Sequence, residues 1–173
     1  MSRGTVIADC AKRTLAYAER LIKGIEPHMF ARKPTWGLGG REIDCNHGAF
    51  VFGHLALYPP RIIAMLGDRA RVEVPAEYQE LFKAGVPCRD DADGSIYPSM
   101  SALCEVYFGG MREAIDAVGR ATDAHLARPM PEERMREFLP TVEHGCLFLL
   151  NNHPMAHLGQ LSTWRRCMGL PAA

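Results

Sequence analysis

The chain of 173 residues has no excess of charge: 20 lysines and arginines stand against 20 aspartates and glutamates. That balance removes the usual electrostatic route to nucleic acid, which depends on clustered cations releasing counterions. The densest basic stretch, Arg128 to Arg136, is interrupted by Glu132, Glu133 and prolines. Long apolar runs are missing too. The most apolar window, 48–67, carries His54, Pro59, Pro60 and Arg61 and makes a poor membrane span. The first residues reach Asp9 too soon to hold the apolar region of a signal peptide. Six cysteines are scattered at positions 10, 45, 88, 104, 146 and 167 with no Cys-x-x-Cys pair, so neither a zinc knuckle nor a compact disulfide scaffold is expected. They read as reduced thiols of a cytoplasmic protein, mostly core fillers. His-Glu-x-x-His is absent, which argues against a zincin, and Glu-x-x-His is absent, which argues against a diiron bundle.

What is present is a helical period. With 47% hydrophobic and 23% charged residues, the chain is long enough for one globular domain, 1–173, with its own core. Ile7, Ala11, Leu15, Ala18, Ile22 and Ile25 recur at spacings of three and four, predicting a helix over about 5–26 that ends before Pro27. Residues 27–43 read as a loop. Asp44 or Asn46 can cap a second helix carrying Phe50, Val51, His54, Leu55, Tyr58, Ile62 and Leu66. Pro59-Pro60 should kink or split it. A long connection over 67–97 is expected to hold one short helix near Ala76 to Ala84. Its Asp/Gly run, 90–95, resembles a calcium loop but lacks the final glutamate. Pro98 opens a third helix with Leu103, Val106, Tyr107, Met111, Ile115 and Val118 on one face, and a fourth runs from about Thr141 to Met168. The expected fold is all-α, a four-helix bundle with one long crossover.

Histidine carries the chemical signal. Asn152-His153-Pro154-Met155-Ala156-His157 places two imidazoles four residues apart, one above the other on a helix. Cys146, Leu150, Leu161 and Trp164 fall on that same face, which marks it as the core stripe. Buried imidazoles need polar partners or a metal. His54, among Phe50, Val51 and Tyr58 on helix two, is comparable. Three neutral imidazoles suit Zn²⁺, Ni²⁺ or Fe²⁺ with positions left for water or substrate. The competing reading is a set of core histidines bonded to backbone, Tyr58 and Asn152. His28, His125 and His144 belong at helix ends or off this face, and His47 is either a supporting group or a first-turn histidine. Asn152 and Gln160 can brace ligand imidazoles or serve packing. Arg165 and Arg166 can grip an anionic substrate or answer the helix dipole, and Cys146 is a core residue.

Two segments also carry a family resemblance. Gly53-His54-Leu55-Ala56-Leu57 followed by Pro59 resembles the second-helix signature of the DinB-like (YfiT-like) superfamily of metal-dependent enzymes. Asn152-His153-Pro154-Met155-Ala156-His157-Leu158-Gly159-Gln160-Leu161, running into Trp164-Arg165-Arg166 and Gly169, resembles its fourth-helix signature, and the Tyr97-Pro98 start of helix three also fits. The resemblance implies an up-down-down-up four-helix bundle, often a homodimer, with a divalent ion on His54, His153 and His157. Two positions depart from the pattern: Leu158 stands where arginine is common, and Pro154 should bend the helix between its two ligands. Relatives of this kind imply a metal-dependent transferase that uses a low-molecular-weight thiol on a small-molecule substrate. A metal-dependent hydrolase and a non-catalytic bundle with a structural ion are the alternatives. The charge balance and the lack of a long apolar run leave neither nucleic acid nor a membrane as an expected partner.

Overall fold

The structure, a computed structural model, describes residues 2–173 and is all-α, with 57% helix and 3% strand. Helix α1 (Arg3–Leu21) starts where Ser2 Oγ accepts the Thr5 N–H at 3.2 Å. It buries Ile7, Ala11, Leu15 and Ala18, the expected stripe. It stops five residues short of the proline-based expectation because Gly24 turns the chain with φ +73°. Residues 27–43 are loop-like as expected, apart from a 3-10 turn over Pro27–Met29 and a minimal hairpin of β1 (Thr35–Trp36) and β2 (Arg41–Glu42), with Thr35 opposite Glu42.

Helix α2 (Gly48–Ala56) is capped neither by Asp44 nor by Asn46. His47 does it, with Nδ1 accepting the Phe50 N–H at 3.2 Å while Nε2–H donates to the Arg89 carbonyl at 2.8 Å. A fully buried imidazole with both nitrogens bonded replaces the usual short oxygen side chain. Pro59-Pro60 splits the second helix as expected, so α3 (Pro59–Met65) follows as a separate segment with proline in its first turn. The crossover carries α4 (Glu77–Phe82), whose Tyr78 and Phe82 are buried. The acidic run beyond it holds the loop together: Asp91 accepts backbone N–H groups from Ser95, Ile96 and Tyr97 at 2.9–3.1 Å.

Helix α5 (Met100–Arg120) is the hub, packing against α1, α2 and α3 through Leu103, Tyr107, Met111, Ile115 and Val118. After α6 (Asp123–Leu126) the chain makes a pinned excursion over 129–140. Hydrogen bonds from Met130 N to Pro140 O and from Val142 N to Arg128 O, both 3.0 Å, close its base.

The last helical run is not uniform. Helix α7 (Val142–Leu147) passes into a π-turn, Phe148–Asn152, and then into α8 (His153–Cys167). In the π-turn the His153 N–H reaches back to the Phe148 carbonyl, one residue further than in an α-helix. The wide turn sits immediately before Pro154, where the missing N–H would otherwise break the α pattern. Pro154 therefore does not bend the helix between the two histidines. The irregularity precedes both, and His153 and His157 lie in one regular helix. Helices α1 and α2 both pack on α8. Among the described residues no helix is long and apolar enough to cross a membrane.

Candidate metal centre

The three histidines singled out in the sequence converge. His54 Nε2 is 3.2 Å from His153 Nε2, and His157 Nε2 is 3.1 Å from the same atom. All three ligand atoms lie within 4.8 Å of one another. His54 comes from the buried face of α2. His153 and His157 come from α8, one turn apart.

The π-turn changes which face of α8 is buried. The expected core stripe ran through Cys146, Leu150, His153, His157 and Leu161. The observed one runs through Cys146, Leu150, Pro154, Leu158 and Leu161. One extra residue in the turn advances the core register by one, because each residue rotates an α-helix by about 100°. His153 and His157 are thereby moved off the core stripe to its edge, where both are half-buried and face His54.

The outer nitrogens decide what the inner ones can do. His54 Nδ1–H donates to the Phe82 carbonyl at 2.7 Å. That carbonyl ends α4, where the last turn of a helix leaves oxygens without intrahelical partners. His157 Nδ1–H donates to Gln160 Oε1 at 3.0 Å, and the same oxygen accepts from Asn46 Nδ2 at 3.0 Å. A neutral imidazole carries one N–H, so His54 and His157 both turn a bare Nε2 inward. His153 Nε2 faces both lone pairs and can offer one proton at most. Its Nδ1 is buried without a partner among the described residues. The Tyr58 hydroxyl, 3.3 Å from His54 Nε2, is a further donor beside the cluster.

A small cation relieves this crowding of lone pairs. Tetrahedral ligation at Zn–N distances of about 2.0–2.1 Å puts neighbouring nitrogens about 3.3–3.4 Å apart. The separations of 3.2 and 3.1 Å fall just inside that value. Burial also keeps the rings neutral. Desolvation lowers the pKa of His153 from the usual 6.5 to about 4, with His157 and His54 adding to the effect. His54 and His157 are lowered as well, chiefly by desolvation, against the opposing bonds to Phe82 and Gln160. Neutral imidazole is the ligating form, so no proton needs to be removed near pH 7. The donor set, the braced outer nitrogens of His54 and His157 and the spacing fit a divalent ion.

The centre opens onto a cavity of about 620 Å³ lined by Tyr58 and His153 at its inner end. Met65, Met130, Met135, Leu139, Phe148 and Leu149 form most of its wall. The segment 129–140 forms one side of it.

Other sequence candidates lie elsewhere. Arg165 is buried, donating to the carbonyls of Leu21 at 2.6 Å, Lys23 at 2.9 Å and Pro171 at 3.0 Å. It closes the end of α1 and is not available to a substrate. Arg166 is exposed and bonds to Thr163 Oγ1 at 3.3 Å. His47 is the α2 cap, His125 approaches the Met65 carbonyl at 3.2 Å, His144 pairs with Thr141 Oγ1 at 2.7 Å, and His28 is exposed. Asn152 is exposed, whereas Gln160 braces a ligand ring. Cys146 is a core residue whose thiol burial pushes up to about 12. Sequence reasoning missed the Phe82 carbonyl and the bracing role of Asn46. Compared with protein-family models, curated proteins and solved structures, the chain matches none.

Proposed function

We propose that the protein is a divalent-metal enzyme of the DinB-like kind, an up-down-down-up four-helix bundle that uses a low-molecular-weight thiol in group transfer to a small molecule. Helices α1, α2 with α3, α5, and α7 with α8 are the four arms on this reading. The observation that carries it is the convergence of three imidazole Nε2 atoms, two of them, on His54 and His157, turned inward bare because their outer nitrogens are held by Phe82 and Gln160. His54, His153 and His157 would hold Zn²⁺, Ni²⁺ or Fe²⁺. When bound, such an ion supplies Lewis acidity that lowers the pKa of a thiol or water in its open position. The chain's own residues do the rest. Phe82 and Gln160 fix the His54 and His157 rings, methionines and Phe148 line the adjoining cavity, and Tyr58 presents a hydroxyl beside the centre.

Metal analysis of purified protein tests the centre. The expected result is about one divalent ion per chain, stripped in large part by His54→Ala, His153→Ala or His157→Ala. A triple variant with wild-type metal content would refute the assignment. With Co²⁺ loaded, an added low-molecular-weight thiol should give a sulfur-to-metal charge-transfer band that His153→Ala abolishes. Ester turnover without thiol would instead identify a hydrolase, and neither activity combined with a large loss of stability on metal removal would identify a structural ion. The homodimer that accompanies this reading is tested by light scattering.

A further inference from the structure

The cavity beside the centre has a composition that narrows its ligand. Its wall is sulfur and hydrocarbon, from Met65, Met130, Met135, Leu139 and Phe148. Its charged groups are Arg61, Glu132 and Arg134. Glu132 and Arg134 neutralise each other as an ion pair. Arg61 has no carboxylate partner among the described residues, and its guanidinium stands 5.2 Å from the centre of the Tyr58 ring. A cation stacked on an aromatic face keeps its in-plane donors free, and a planar guanidinium matches a carboxylate at two points. The same Tyr58 ring lies 4.5 Å from the His153 ring, so one aromatic side chain separates the cation from the imidazole cluster. A volume of about 620 Å³ lies in the range of sites that enclose small molecules.

We propose that this cavity binds an apolar small molecule bearing a single carboxylate, with the apolar body against the methionines and Phe148 and the carboxylate on Arg61. As the identity of the substrate class, this rests on the metal-enzyme reading above. As a binding site it does not, since none of the groups named to hold the ligand is a metal ligand. The methionine-rich wall adapts to the outline of the apolar body, because the unbranched thioether repacks at low cost. Selectivity then resides in the charged end.

Decanoate and its uncharged analogue decanamide are suitable probes, titrated calorimetrically against the full chain in both EDTA-treated and Zn²⁺-loaded forms. Wild-type protein is expected to bind decanoate about tenfold more tightly than decanamide. Arg61→Gln should abolish that preference while leaving decanamide within about twofold of its wild-type affinity. Ala64→Trp, at an exposed lining position of α3, should block both probes without disturbing the fold. The proposal is overturned if neither probe binds, if Arg61→Gln weakens both equally, or if the preference for decanoate survives Arg61→Gln. It is also overturned if the preference appears only with Zn²⁺ and vanishes in His153→Ala, since the carboxylate would then sit on the ion. Binding to the EDTA-treated protein reports on the cavity alone. Metal content reports on the histidine centre alone, so the two failures are distinguishable.

Discussion

Acidification of the metal-free protein gives the sharpest test of the histidine cluster. His153 has a folded pKa of about 4 against 6.5 in an unfolded chain. Between those two pH values the unfolded chain holds the proton and the folded one does not. Stability is therefore present above about pH 6.5 and is lost as the pH falls toward the folded value. At about 1.4 kcal/mol per pH unit, His153 alone removes about 3 kcal/mol by pH 4, a large share of a typical domain's stability. His54, His157 and the buried cap His47 are also lowered by desolvation and act in the same direction. Asp90 and Glu113 are held below the ordinary carboxylate values of 3.8 and 4.5, so what they contribute is lost mainly below a window from pH 7 to 4.5. The assay is urea unfolding followed by circular dichroism in EDTA, comparing wild type with His153→Gln. The variant should be less sensitive to acid by about 2–3 kcal/mol across the window. Parallel curves would show that His153 takes up its proton in the folded state as readily as in water, and the account of a desolvated, neutral cluster would fail. Zn²⁺ at a hundred times its dissociation constant should add about 2.7 kcal/mol at pH 7 and less as protons displace it.

Two further outcomes follow from the supports of the site. Gln160→Ala frees the His157 ring to rotate and should weaken metal binding about 10- to 100-fold with the fold intact by circular dichroism; unchanged affinity would mean that the amide is not a brace. Arg165→Met leaves three carbonyls without their charged donor and should cost about 2–4 kcal/mol in urea while leaving metal content unchanged; loss of metal with little loss of stability would return Arg165 to the site.

Much of this was legible in the residue pattern because it was written in side chains. The stripe Ile7, Ala11, Leu15 and Ala18 betrays α1, and Pro59-Pro60 betrays the break between α2 and α3. An imidazole at position 54 contradicts the apolar face around it, and the spacing of His153 and His157 puts both on one side of a helix. What escaped is held by backbone. The Phe82 carbonyl supports His54 across 28 residues of sequence and carries no side-chain mark. The position that would have pointed to it is Gly53, where a Cβ would lie 2.4–2.5 Å from the Phe82 ring, so glycine is what lets α4 settle against α2. His47 was misplaced because capping rules favour short oxygen side chains, and the end of α1 because Gly24 acted before Pro27. The face of α8 was misassigned because a constant 3.6 period was carried through a turn that does not have it.

That turn has a consequence for how the protein tolerates change. A π-turn is what a single inserted residue looks like when a helix absorbs it without breaking. Here the insertion acts as a phase shifter, letting one continuous rod serve two masters: α7 keeps its contacts with the core, while α8 is rotated until its histidines meet His54. The register of α7 is therefore set independently of that of α8, which carries both the histidines and its own buried face. Excising one residue from 148–152 would keep the length of apolar sequence almost intact, yet turn His153 and His157 by about 100° relative to α7. The chain would have to choose between seating α7 in the core and seating α8 with its buried face and histidines, because a uniform helix here cannot supply both.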